Sequence, residues 1–105
     1  MEDRNQQFRI IIGDDDVESL RTIASELRAA GYSVVTTPNS NRILRMAQKS
    51  FPDLVVLSTD LKGMDGFETT RVLIEKLNYP NSILMLSEDA SEQIIMKAYE
   101  AGANE

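Results

Sequence analysis

Apolar and polar positions along this chain follow two alternating rhythms. "FRIII" (8–12) is a short run with β-branched residues that ends at Gly13 and three acids, Asp14, Asp15 and Asp16. In "VESLRTIASELRAAG", Val17, Leu20, Ile23, Leu27 and Ala30 recur at the spacing of one helical face. Gly31 stands where a helix end favours a left-handed residue. "YSVVT" (32–36) predicts a strand and Pro38 the turn after it. "NSNRILRMAQKS" (39–50) predicts a second helix, with Asn39 or Ser40 available as its cap. "DLVVL" (53–57) lacks alternation, as expected of a parallel strand buried on both faces. "FETTRVLIEKL" (67–77) is a third helix that turns Phe67, Thr70, Ile74 and Leu77 to one side. After the connector "NYPN", "SILML" (82–86) predicts another buried strand and "ASEQIIMKAYEAG" (90–102) a fourth helix closed by Gly102.

Four β-α units joined by short connections predict an α/β domain, a doubly wound parallel sheet with helices on both faces. In such sheets the working crevice lies at the carboxyl ends of the strands. The positions that matter are therefore Gly13 to Asp16, the turn near Thr37, Ser58 to Gly66, and Ser87 to Asp89. The last strand, "SILML", would be a long apolar edge if the sheet stopped there, an arrangement proteins avoid. The expectation is that the chain is truncated and a fifth strand and helix follow; the rival is that a second copy covers the edge in a homodimer.

Composition narrows the chemistry. The 105 residues make one domain, with 42% apolar and 27% charged residues, as in ordinary globular chains. A net charge of −6 disfavours direct nucleic-acid binding and attraction to an anionic membrane. Cysteine and histidine are both absent, which excludes disulfides, thiolate or histidine metal sites, and Ser-His-Asp catalysis. "MEDRNQQ" (1–7) is a polar extension without the features of a signal peptide, and no segment is long enough to span a bilayer. A cytoplasmic protein is the simplest expectation.

Plain structural accounts exist for several of the acids. Asp15 with Glu18, and Asp65 with Glu68, both have capping-box spacing. Ser87 or Asp89 could cap the fourth helix. Taken together, however, "RIIIGDDD", "PDLVVLSTDLKGMDGFE", "ILMLSEDAS" and "AYEAGANE" resemble, in order and spacing, the receiver domain of bacterial two-component response regulators. The resemblance runs from about Phe8 to the end of the chain. It implies a flavodoxin-like sheet with strand order 2-1-3-4 and a fifth strand following.

By position, the resemblance makes Asp14 and Asp15 the acidic pair that holds Mg²⁺. Asp60 becomes the residue that lends the metal a backbone carbonyl, and Ser87 the switch hydroxyl. The phosphoacceptor is an aspartate in the family, and Ser58 occupies that position here. Lys62 replaces the proline usual in the same loop. The family's conserved lysine would lie beyond Glu105. Implied partners are a sensor histidine kinase or phosphotransfer protein, a fused or separate output domain, or another receiver.

Replacing the acid changes the reaction. A carboxylate is already ionised at neutral pH and yields a labile acyl phosphate, with Mg²⁺ offsetting the charge on the transferring group. A serine hydroxyl needs a base, and its phosphoester is far more inert. One carboxylate fewer also weakens a Mg²⁺ site. The sequence therefore predicts a degenerate, non-enzymatic receiver that acts through its protein-binding surface. The alternative is a working Mg²⁺-dependent acceptor in which Asp60 or another acid substitutes. A small nucleotide-binding protein or enzyme is disfavoured because no glycine-rich phosphate loop follows any strand.

Overall fold

The computed structural model describes residues 8–50, 52–87 and 92–104. Each apolar run forms its expected element: β1 (Arg9–Gly13), α1 (Val17–Ala29), β2 (Ser33–Thr37), α2 (Ser40–Ser50), β3 (Leu54–Ser58), α3 (Gly66–Glu75), β4 (Ser82–Leu86) and α4 (Glu92–Ala101). The polar extension 1–7, Asp89 and the first residues expected in the fourth helix lie outside the described residues.

The four strands are parallel and lie in the order β2-β1-β3-β4. Strand geometry sends successive side chains to opposite faces, so each run feeds two cores. Ile10 and Ile12 of β1 and Val56 of β3 meet Leu20 and Ala24 of α1. Ile11, Val55, Leu57 and Ile83 meet Ile43 and Ala47 of α2, Leu73 of α3 and Tyr79. Ile12, Ile43, Leu57, Leu73 and Ile83 are fully buried, each worth about 1.5–3 kcal/mol of hydrophobic stabilisation. Among the described residues, α1 is the single helix packed on the first face.

Two expectations need correction. Val17 and Ala30 are exposed, although their spacing placed them on the buried stripe of α1. Val17 opens the helix and Ala30 caps it, and Ala24 fills the core instead. β4 is not buried throughout: only Ile83 is, while Leu84, Met85 and Leu86 are half-buried, because β4 lies at the edge of the described sheet. Of the two cap candidates for α2, Asn39 takes the role, accepting the Asn41 N–H on its side-chain oxygen at 2.9 Å.

Gly31 and Gly102 both have positive φ and end α1 and α4. Past Gly102, Asn104 reaches the outer edge of β4. Its N–H donates to the Ile83 carbonyl at 3.0 Å, and its side-chain oxygen accepts the Ile83 N–H at 2.9 Å. No helix among the described residues is long and apolar enough to cross a membrane.

Candidate functional site

The acids after β1 have three separate assignments. Asp14 is half-buried, and its N–H donates to the Thr37 carbonyl at 3.3 Å. Asp15 is exposed, and its N–H donates to the Asp60 carbonyl at 3.1 Å. Asp16 is the cap of α1: its carboxylate accepts the N–H groups of Glu18 at 3.0 Å and Ser19 at 3.3 Å, and the Ser19 hydroxyl at 3.0 Å. The capping role expected of Asp15 thus falls one residue later. The Ser19 backbone N–H, and then its hydroxyl, hold the Asp16 carboxyl below the ordinary aspartate range. The Asp16 N–H in turn donates to Asp14 Oδ1 at 3.0 Å, which fixes the Asp14 carboxylate beside the strand end.

Ser58 is the last residue of β3 and is buried. Its Oγ accepts the Asp60 N–H at 3.2 Å. The chain then turns into α3, whose first residue is Gly66. The Gly66 N–H donates to the Thr59 carbonyl at 3.1 Å, and a Cβ at Gly66 would overlap the Ser58 carbonyl oxygen. The constraint at Gly66 is close backbone approach, which lets the helix start press against the strand end. Asp65 caps α3 as expected, accepting the Glu68 N–H at 2.8 Å.

These strand ends enclose a cleft of about 350 Å³. Asp14, Asp15, Ser58, Asp60 and Ser87, the five residues singled out from the sequence, all line it, together with Asp16 and Ser19. Sequence reasoning missed Ser19; its place one turn into α1 after the acids was the available signal. Ser87 follows β4 and is exposed.

The donor set is acidic but sparse. Among the described residues, no group of three His, Cys, Asp or Glu side chains stands close enough to hold a metal ion. Of the four aspartates that line the cleft, Asp16 is committed to the cap of α1, which leaves a hard cation the carboxylates of Asp14, Asp15 and Asp60 and the Asp60 carbonyl, which already accepts one hydrogen bond. Ser58 brings a hydroxyl to the β3 end, and its oxygen accepts the Asp60 N–H.

Residues 10–105 match the family described as the response regulator receiver domain. The chain is 32% identical over 98 residues to the alkaline phosphatase synthesis transcriptional regulatory protein PhoP of Bacillus subtilis, covering 92% of this chain and 40% of the relative. It is 31% identical over 83 residues to the probable transcriptional regulator ycf27 of Pyropia yezoensis, covering 79% of this chain and 33% of that one. The chain thus spans well under half of these relatives. Among solved structures, the chemotaxis response regulator CheY4 of Vibrio cholerae superposes with a TM-score of 0.84 at 26% identity, over 90% of this chain and 80% of that one. The BeF3-activated N-terminal receiver domain of Klebsiella pneumoniae RstA does so with 0.83 at 29%, over the same shares. The flavodoxin-like fold, the strand order and the cleft at the carboxyl ends agree with this assignment: the chain belongs to the receiver-domain family of two-component response regulators.

Proposed function

We propose that this chain is a degenerate receiver, a cytoplasmic regulatory module that acts through protein contacts without aspartyl phosphorylation. One observation carries the reading. The residue at the end of β3, facing the acids of the cleft, is a buried serine whose hydroxyl oxygen accepts the Asp60 N–H. An alcohol accepts phosphate readily only when a base removes its proton. The chain has no histidine to do so, and among the described residues no carboxylate accepts a hydrogen bond from the Ser58 hydroxyl.

The metal follows the same logic. Mg²⁺ is held by a few well-placed oxygens and keeps much of its water. Asp14, Asp15 and the Asp60 carbonyl would hold it, weakly, because the third carboxylate is replaced by a hydroxyl. When bound, Mg²⁺ would shield the negative charge of a phosphoryl group. This chain's own residues would anchor the ion and keep the carboxylates apart.

Partners of the fitting kind are a sensor histidine kinase or phosphotransfer protein, an output domain, and a second receiver. The net charge of −6 supports contacts with proteins over direct contact with nucleic acid. Incubation with acetyl phosphate and Mg²⁺, followed by phosphate-affinity electrophoresis, tests the reading. A single unshifted band is expected; a shifted band that reverts on standing would refute it.

A further inference from the structure

The loop that carries the Asp60 carbonyl is tied to a part of the chain that no motif marks. Ser40, the first residue of α2, is fully buried although it is polar. Its hydroxyl donates to the Lys62 carbonyl at 3.1 Å and accepts the Met64 N–H at 2.9 Å. The Ser40 N–H donates to the same Lys62 carbonyl at 3.0 Å. The Lys62 N–H completes the set by donating to the Pro38 carbonyl at 2.9 Å, and Asn39 pairs with Lys62 as a parallel bridge.

Two residues in the loop make this possible. Gly63 has φ +91°, and a Cβ there would stand 2.6 Å from Ser40 Oγ, so only glycine lets the loop close over the hydroxyl. Lys62 supplies a backbone N–H. A proline, the residue the family resemblance leads one to expect, has none.

We infer that Ser40 is a positioning residue that latches the β3–α3 loop, and that Lys62 closes the latch through its backbone N–H. The loop, and with it the Asp60 carbonyl that accepts the Asp15 N–H, is then held by the protein's own hydrogen bonds. The latch holds whether or not Ser58 accepts phosphate, so its test and the phosphorylation test fail separately.

Backbone amide hydrogen exchange on the intact protein, followed by NMR, reads it directly. In Ser40→Ala the Met64 amide loses its acceptor, and its exchange should quicken about tenfold, the scale of one net hydrogen bond. Amides of the central strands, such as those of Ile12 and Val56, report whether the variant stays folded. Lys62→Ala keeps the N–H and should leave Met64 exchange unchanged. Lys62→Pro removes it and should quicken exchange at Met64. The Asp15 amide, which donates to the Asp60 carbonyl, supplies a readout that a purely stabilising role would not move. Its exchange should quicken in Ser40→Ala and Lys62→Pro, with the Ile12 and Val56 amides unchanged, and stay native-like in Lys62→Ala. Equal Met64 exchange in native and Ser40→Ala protein, equal behaviour of the two Lys62 variants, or Asp15 exchange that stays native-like in Ser40→Ala would each overturn the inference.

Discussion

The backbone N–H of Asp15 donates to the carbonyl oxygen of Asp60 at 3.1 Å, joining the end of β1 to the loop after β3. The two strand ends are therefore fixed to each other without a ligand. The Asp60 N–H is fixed as well, by Ser58 Oγ, so both polar groups of that residue's backbone have partners within the cleft. A receiver whose acceptor is an acid has like charges to hold apart at this place. On the proposed reading of Ser58, a hydroxyl removes one of them and gives the loop a neutral anchor.

That difference predicts the effect of restoring the acid. In Ser58→Asp, a third carboxylate joins Asp14 and Asp15 at a buried position, and crowded like charges without a metal oppose folding. We expect a loss of about 1–2 kcal/mol without Mg²⁺. That loss corresponds to a Tm drop of roughly 4–8 °C per kcal/mol for a domain of this size. Mg²⁺ should raise the variant's Tm and scarcely move that of the native protein. Thermal melts of both proteins with and without the ion decide it; identical responses reject the account.

Gly66 gives a purely steric prediction. Gly66→Ala would drive a methyl group into the Ser58 carbonyl, a backbone atom that cannot move without dragging β3. A cost of at least about 2 kcal/mol is expected, in the range of backbone and overpacking effects. Urea unfolding at unchanged m-value would show it. A variant as stable as the native protein would mean that α3 can slide away from the strand end.

Tyr79 carries the clearest pH signature. Its hydroxyl donates to the Pro52 carbonyl at 2.8 Å. Burial first, and the nearby Asp53 charge second, push its pKa up from 10.0 to about 12. Because the folded state holds this proton more tightly, the contribution to stability is complete below pH 10.0. It is lost as the pH rises through about 12. Tyr79→Phe should cost about 0.5–1 kcal/mol near neutrality, since Asn81 still donates to the same carbonyl at 3.0 Å. The same variant should flatten the decline in that alkaline window, which denaturant unfolding against pH would reveal.

What the sequence disclosed depended on the range of the interaction. The apolar runs at β1 and β3 identified the parallel sheet because burial on both faces leaves a continuous signal; β4 carries the same kind of run although it is half-buried at the sheet edge. The helical stripe of α1 was legible at Leu20, Ile23 and Leu27 but failed at Val17 and Ala30, the exposed first residue and C-cap of the helix. Capping was read one residue early because three consecutive aspartates offer nearly equivalent spacings. Only the folded turn shows that Asp16 reaches Glu18 and Ser19. Ser40 was named only as a cap candidate. Its bonds to Lys62 and Met64 join residues 22 and 24 positions apart, and no local pattern encodes a meeting of two loops.

The central claim is that a hydroxyl at position 58 closes the aspartyl-phosphate route. Intact-mass spectrometry after incubation with acetyl phosphate and Mg²⁺, on native and Ser58→Asp protein side by side, tests it most directly. The account predicts no added phosphoryl mass on the native chain and a hydroxylamine-labile one on the variant. A hydroxylamine-labile phosphoryl group on the native chain, whether mapped to Asp14, Asp15 or Asp60, would contradict it.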